Sequence, residues 1–336
     1  MTTAATTAPQ ETDLETVLTS FDTAYTWNYR GVKAGLRDLY EKAKRDQWNG
    51  SERLDWSLPV EPESEILPHA FSPMAGYEPY EKLRGKDLAK FQHAMISLTL
   101  SQFLHGEQGA MIVASQLVGA TPWIDAKLYA STQAMDEARH VEVFSRYLNE
   151  KLEWEWPINR ELKELLDVTI HDSRWDFKYI GMQIVIEGLA MAAFGSLYQI
   201  CQEPLLKDLL LNVMRDESRH VAFGVQSLQG YYDDMSESEL RDREDFLIYA
   251  CELSRDRLVA YEIADAMGWD RDEVRRAQLA SPVGKMVRSA LFMRVVPNLK
   301  RLSLLTPRVR DAFEKLEILQ FENMDPELQE KQLGLA

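Results

Sequence analysis

The feature that most constrains this chain is a duplicated spacing of acids and histidines. Asp136-Glu137-Ala138-Arg139-His140 has a near copy eighty residues on, Asp216-Glu217-Ser218-Arg219-His220. Each copy contains Glu-x-x-His, which on a helix sets the two side chains on one face, one above the other. Glu107 precedes Glu137 by thirty residues, and Glu187 precedes Glu217 by thirty. The unit Glu-x29-Glu-x-x-His therefore occurs twice at a spacing of eighty. Four carboxylates and two imidazoles in that order form the pattern of a two-metal site inside a four-helix bundle.

The surroundings of the two upstream glutamates sharpen this. Glu107 is the only acid between Asp87 and Asp125, and Glu187 the only acid between Asp176 and Glu203. Both sit in apolar helical sequence. A lone carboxylate there cannot stay buried and ionised without a cation, because its desolvation costs several kcal/mol. Four carboxylates and two imidazoles are too many, and too oxygen-rich, for a tetrahedral zinc site. Shared by two ions, they leave positions open for water and dioxygen, and iron or manganese suits the mix, iron best.

Helical rise of about 1.5 Å per residue brings the six groups to one level. Glu107 and Glu137 lie on either side of the turn at 118–121, and Glu187 and Glu217 on either side of Glu203. Two antiparallel hairpins facing each other would put all six in one layer. The segment 153–172 is long enough for the crossover between them.

Along the chain, a Thr/Ala-rich start (1–12) reads as a flexible tail, and residues 13–336 as one helical domain whose metal-binding core spans 85–230. The spacing of Phe21, Tyr25, Tyr29, Val32, Leu36 and Tyr40 predicts a helix over 13–48, stopped by Asn49-Gly50-Ser51. Five prolines over 55–80 predict an extended arm. Helices are expected at 85–118, 122–152, 159–170, 173–202 and 204–230, with Thr121 as N-cap and Pro122 opening the second. Shorter ones follow at 236–267, 271–279, 283–295 and 308–320. No convincing strand alternation exists, so the fold class is all-α.

Composition narrows the partners. A formal net charge of -16 over 336 residues argues against nucleic acid or an anionic membrane as partner. The two cysteines, Cys201 and Cys251, read as buried small hydrophobes in a reducing cytoplasm. No run of eighteen apolar residues appears, so no membrane span is expected.

With these residues in view, the sequence resembles the ferritin-like non-haem diiron carboxylate superfamily. Its members include multicomponent monooxygenase hydroxylases, acyl-carrier-protein desaturases and ribonucleotide reductase small subunits. The resemblance covers 85–230, and the paired Asp-Glu-x-Arg-His carries it. It implies a four-helix bundle with flanking helices, two iron ions (or a manganese–iron pair) and dioxygen as cosubstrate. Glu107, Glu137 and His140 would hold one metal, Glu187, Glu217 and His220 the other, with Glu137 and Glu217 bridging. Asp136 and Asp216, beside Arg139 and Arg219, match aspartates that support the ligand histidines.

The expected activity is oxidation of an apolar or aromatic organic substrate, hydroxylation or a related C–H or N–H oxidation. Desaturation of a carrier-bound acyl chain and ferroxidase or iron-handling activity are the alternatives. No glycine-rich flavin or nicotinamide fingerprint is present, so electrons would come from a separate reductase or ferredoxin. A homodimer is compatible with this reading. A basic patch from Arg275, Arg276, Lys285, Arg288 and Arg294 would be needed to dock an acidic carrier.

Three positions depart from known branches. Phe144 stands where a radical-forming reductase subunit has tyrosine, Met191 where hydroxylases usually have threonine, and Val213 where arylamine N-oxygenases have an extra histidine. One turn from the ligands, Phe103, Ala110, Phe144, Met191, Phe194 and Val213 are the candidate substrate-pocket residues. Gly106, Gly109 and Gly188 flank the lone glutamates and suggest close helix approach or a π-bulge. His93, His105 and His171 are read as structural or surface groups.

Overall fold

The computed structural model describes residues 14–61, 66, 68 and 72–334. The expected tail at 1–12 and part of the proline-rich arm lie outside the described residues. Among the described residues the chain is all-α.

Helix α1 (Ala34–Arg45) is followed by α2 (Gly85–Ala120), the longest of the molecule, and α3 (Ile124–Tyr147). Helix α4 (Arg160–His171) crosses to α5 (Trp175–Ile200), which pairs with α6 (Pro204–Leu228). Helices α7 (Glu237–Asp256), α8 (Arg271–Ala280), α9 (Pro282–Ala290) and α10 (Val295–Arg301) pack around this core, with shorter turns between and after them. The four-helix bundle is α2, α3, α5 and α6. Helix α1 lies across α3 and α6.

The helix ends follow local chemistry. Pro122 confines Thr121 to extended backbone (φ -72, ψ 144), so α2 stops there and the Thr121 hydroxyl donates back to Leu117 O at 3.0 Å. Thr121 thus closes α2 rather than capping α3, correcting the sequence expectation, and α3 starts two residues beyond Pro122. Glu203 caps α6 by accepting from Leu205 N and Leu206 N, with Pro204 in the first turn. Asn159 caps α4 through Leu162 N, and Ser236 with Glu239 forms a capping box on α7.

The larger correction concerns 14–33, predicted as helix. It runs as a non-helical arm with Tyr25, Trp27, Tyr29 and Val32 exposed. Its backbone finds acceptors elsewhere: Ala24 N donates to Gly119 O (2.9 Å), and Val32 N and Lys33 N donate to Asp125 Oδ2 (2.8 and 3.0 Å). The buried Asp125 also pairs with Arg37 at 2.6 Å, which ties the start of α1 to α3. Helical spacing of aromatics stabilises a helix only if the face has something to bury against, and here the bundle face is already taken by α1.

Helix α5 is long and apolar enough to cross a membrane by length and composition, and 83% of that window is buried in the protein interior. It is the central helix of the core, as an all-round apolar helix inside a large domain should be. Cys201 and Cys251 are free and buried, as expected. Gly109 and Gly188 do allow close approach: a Cβ would stand 2.4 Å from Leu166 Cδ2 and 3.2 Å from Val295 Cγ2 respectively. Gly106 has nothing within 4 Å.

Candidate metal centre

The bundle brings its six predicted ligands together at mid-height. Glu107 comes from α2, Glu137 and His140 from α3, Glu187 from α5, and Glu217 and His220 from α6. One ligand atom from each of Glu107, Glu137, His140 and Glu217 lies within 4.8 Å of the others. The same holds for Glu137, Glu187, Glu217 and His220. Glu137 and Glu217 belong to both groups, so two neighbouring ions held here would share them.

Both imidazoles point Nδ1 into the cluster. His140 Nδ1 is 3.1 Å from Glu217 Oε1, 3.2 Å from Glu107 Oε2 and 3.3 Å from Glu137 Oε2. His220 Nδ1 is 3.0 Å from Glu137 Oε1 and 3.5 Å from Glu217 Oε2. The other ring nitrogens face outward to the motif aspartates, and the pairing is crossed between helices. His140 Nε2 lies 3.2 Å from Asp216 Oδ2, and His220 Nε2 lies 3.4 Å from Asp136 Oδ2. A carboxylate accepting from Nε2–H leaves Nδ1 as the electron-pair donor.

The two arginines close a ring around this support. Arg139 Nη2 donates to Asp136 (2.5 Å) and Asp216 (2.8 Å), and Arg219 Nη2 to Asp216 (2.5 Å) and Asp136 (3.2 Å). Helix α1 and the turn after it complete it. Gln47 donates to Asp136 Oδ1 and accepts from Arg139 Nη1, both at 2.8 Å, and Trp48 Nε1 donates to Asp216 Oδ2 at 2.8 Å.

Whether the cluster fits metal can be asked of its charges. Among the described residues, four glutamates and two aspartates, all at most 5% exposed, pair with Arg139 and Arg219 as their permanent cations. That leaves four negative charges, the charge of two divalent ions. Among the described residues, Glu137 Oε2, Glu187 Oε2, both Glu217 oxygens and His220 Nδ1 make close contacts at most and no well-aligned hydrogen bond, and buried polar atoms are rarely left so. The donor set fits a dimetal site.

The ionisation balance of the protein alone tells the same story. Burial, then repulsion from Glu217, pushes the Glu107 carboxyl far above the ordinary carboxylate range, and Glu187 behaves alike. Burial also works to raise Glu137, but the facing His220 and His140 outweigh it and hold that carboxyl well below. Burial likewise opposes charging of both imidazoles, yet the carboxylates around them lift His140 and His220 well above the usual imidazole value. Protons thus gather where cations would sit.

A longer, wider helical turn precedes Glu187. Residues Ile180–Ile186 of α5 form a π-helix. It carries Gln183, whose amide donates to Gln133 Oε1 at 3.4 Å. Gln133 in turn donates to Glu187 Oε1 (2.7 Å) and Glu137 Oε1 (3.1 Å). Gln133 stands four residues before Glu137, on the ligand face of α3, so its position was readable from the motif. Gln47 and Trp48 carry no such signal, because only the packing of α1 brings them in.

The candidate pocket residues separate. Phe103 lines an apolar cavity of about 250 Å³ with Ile96, Thr99, Leu189, Ala193 and Leu291 among others. Its ring also sits 4.6 Å from Phe194 and 6.0 Å from Phe144, with Phe144 and Phe194 5.8 Å apart. Phe103 is one turn from Glu107 and Phe144 one turn from His140, so this trio bridges cavity wall and ligand layer. Ala110, Phe144, Met191, Phe194 and Val213 are not on the cavity wall; all are buried in the core.

His105 meets Trp156 O at 2.9 Å and His171 meets Leu18 O at 2.8 Å, while His93 is buried near the periphery; none faces the cluster. Of the expected basic patch, Arg275, Lys285 and Arg288 line one surface depression with Arg255 and Lys315. Arg294 does not join them, being 2% exposed.

Fold and site together define a ferritin-like helical bundle with a paired carboxylate–histidine cluster at its centre. No family model matches the chain, and no curated protein does. Among solved structures it is similar to R2-like ligand-binding oxidases. One variant with an aerobically reconstituted Mn/Fe cofactor is 18% identical, covering 80% of this chain and 93% of that one with a TM-score of 0.50. Two with anaerobically reconstituted Mn/Fe cofactor are 19% and 17% identical, each with a TM-score of 0.51, covering 80% of this chain and 94% and 93% of theirs. At that identity the likeness is one of fold, and the fold is the all-α ferritin-like one.

Proposed function

We propose that this chain is an oxygen-activating dimetal oxidase, with two irons or a manganese–iron pair, acting on an apolar or aromatic organic substrate. Hydroxylation or a related C–H or N–H oxidation is the proposed reaction. The observation that carries the reading is the layer of four buried glutamates and two inward Nδ1 atoms, four charges short of neutrality, with an apolar cavity behind one aromatic side chain. The structural neighbours named above carry Mn/Fe cofactors, which supports the metal identity.

When bound, the two ions would supply the reduction of dioxygen that no amino-acid side chain performs. The residues do the rest. Glu137 and Glu217 stand within reach of both positions and would be shared, and Glu107 and Glu187 would each hold one ion. Asp216 and Asp136 hold His140 and His220 with Nδ1 inward, and the Gln133 amide fixes the orientation of Glu187 against Glu137. Phe103, Phe144 and Phe194 keep water from the ligand layer on the cavity side.

Electrons would come from a separate reductase or ferredoxin, with the protein working in the cytoplasm, apart from nucleic acid and membrane; a homodimer is compatible. The cavity favours an organic substrate over iron storage, for which a pocket lined by leucine, isoleucine and phenylalanine has no use. The test begins with iron and manganese content. Anaerobic reduction and rapid mixing with dioxygen follow, recording near-ultraviolet and visible absorption. About two metals per chain and a transient oxygen-dependent band are expected. Zinc alone, or metals inert to oxygen after iron reconstitution, would sink the proposal.

A further inference from the structure

One surface depression reverses the charge balance of the chain around it. The protein has 54 acids against 38 lysines and arginines. Yet a hollow of about 330 Å³ among the outer helices is lined by Arg255, Arg275, Lys285, Arg288 and Lys315, with Asp256 and Glu317 as its acids. The cations come from four elements. Arg255 lies near the end of α7, Arg275 on α8, Lys285 and Arg288 on α9, and Lys315 closes helix α11 (Pro307–Lys315). Packing thus gathers like charges from distant parts of the chain, and their repulsion costs free energy unless an anion answers it.

The two acids do not answer it in full. Asp256 is taken by Arg255 at 2.7 Å. Glu317 acts on Arg288 without reaching ion-pair distance. Arg275, Lys285 and Lys315 form no ion pair among the described residues. Five cations against two acids leave three positive charges in the hollow.

Arg288 is a second, independent sign of a ligand. It is 8% exposed, and among the described residues its side chain donates from Nη1 to the backbone Gln278 O at 3.0 Å and to no carboxylate. Gly284, one turn earlier on α9, leaves room for that reach: a Cβ there would stand 2.7 Å from Gln278 O and 3.0 Å from Arg288 Nη1. Burial, then the like charge of Arg255, pulls this guanidinium below its ordinary value, as befits a cation held without a counter-ion. Fixed through one nitrogen, it keeps its other N–H groups for a ligand.

We propose that this hollow binds a phosphate-bearing small molecule, its phosphate on Arg288 with Arg275, Lys285 and Lys315, its organic part against Leu279, Leu316 and Ile318. Cations converging from four elements on a concave site suit a compact, multiply charged anion whose oxygens several donors can share. The broad face of an acidic protein would meet the rim and leave the sunken Arg288 unanswered. None of the lining residues belongs to the dimetal centre, and the proposal does not rest on the oxidase reading. Lys285 and Lys315 line this hollow and not the apolar cavity, which Arg288 borders as well, so they carry the test.

That test is calorimetric titration of the metal-loaded protein with butyl phosphate and with inorganic phosphate, at an ionic strength held constant with chloride. Saturable binding is expected for both, with butyl phosphate at least about threefold tighter for its buried methylenes. In K285Q/K315Q, which removes two exposed side chains, affinity for both should fall at least about tenfold. R275Q, at a third exposed position, should cost about threefold by itself. K42Q/K90Q makes the same charge change outside the hollow and should alter affinity by less than about twofold.

Affinity that is unchanged in K285Q/K315Q, or that falls as far in K42Q/K90Q, overturns the proposal. Binding that ignores the lysine replacements but vanishes on removal of the metals puts the phosphate on the metals and overturns it too. Butyl phosphate binding no tighter than the inorganic ion does the same, since the apolar wall would then hold nothing. Absence of saturable binding by the parent overturns it and leaves the hollow to an acidic protein partner.

Discussion

Asp216 shows how much of the centre depends on groups that touch no ligand position. It accepts from His140 Nε2, Trp48 Nε1 and both arginines, so it fixes one imidazole from the opposite hairpin. Asp216→Asn keeps the shape but presents an amide that can also donate. Affinity for ferrous ion should fall about 10- to 100-fold, measured by anaerobic titration; an unchanged affinity would mean the imidazole is oriented by packing alone.

Lys178 offers a second test at this scale. It is fully buried, donates to Gln116 Oε1 (2.6 Å) and Ile170 O (3.0 Å), and burial lowers its ammonium to about 8 from an ordinary 10.5. Between those values the unfolded chain holds a proton that the native state has released, so stability rises with pH through that window. The stability of the parent relative to Lys178→Met should therefore climb by about 2 kcal/mol from pH 7.5 to pH 10 in urea unfolding. A pH-independent difference would show that Lys178 stays charged.

At the scale of elements, the π-helix in α5 and its contact with α6 position the Glu187 corner of the site. A Cβ on Gly224 would stand 2.5 Å from Gln183 Cβ and 3.3 Å from Ile184 Cδ1, and neither the backbone-adjacent Gln183 carbon nor the packed π-turn can swing aside. Gly224→Ala should cost about 1–3 kcal/mol by overpacking, read from denaturant unfolding. It should also loosen the Gln183–Gln133 contact, so metal affinity should drop with stability. Full stability in the variant would show that α5 yields without strain. Gly188 beside Glu187 hinted at a π-bulge, but its place at 180–186 depends on the contact of Gly181 with Thr169 of α4 and of Gln183 with Gly224 of α6. Neither contact is local in sequence.

At the scale of the molecule, the centre carries four formal negative charges beyond what its two arginines balance. Protons on Glu107, Glu187 and the two imidazoles offset them until metal takes their place, so metal should act as a folding ligand. Free ferrous ion at a hundred times its dissociation constant should add about 2.7 kcal/mol per site, seen as a concentration-dependent rise in the melting temperature under anaerobic conditions. Glu137→Ala with Glu217→Ala should abolish that rise, because both carboxylates reach both metal positions. A rise that persists in the double variant would place metal binding elsewhere.

The sequence alone determined the all-α class, the pairing of hairpins, and all six inward-facing groups, because ligand chemistry at helical spacing is a local constraint repeated twice. Helix ends at Pro122, Glu203 and Asn159 were likewise near their true places, since proline and capping act within a few residues. What only the tertiary structure decided were the matters of address between distant segments. It crossed Asp136 to His220 and Asp216 to His140, recruited Gln47 and Trp48 from beside α1, and drew 14–33 out as an arm on Asp125 and Gly119 instead of a helix. It also left Arg257 and Arg288 on one cavity although 31 residues separate them. Periodicity reports which face of a helix is apolar or polar; which partner that face meets is set by how the helices pack, and no spacing within one helix encodes it.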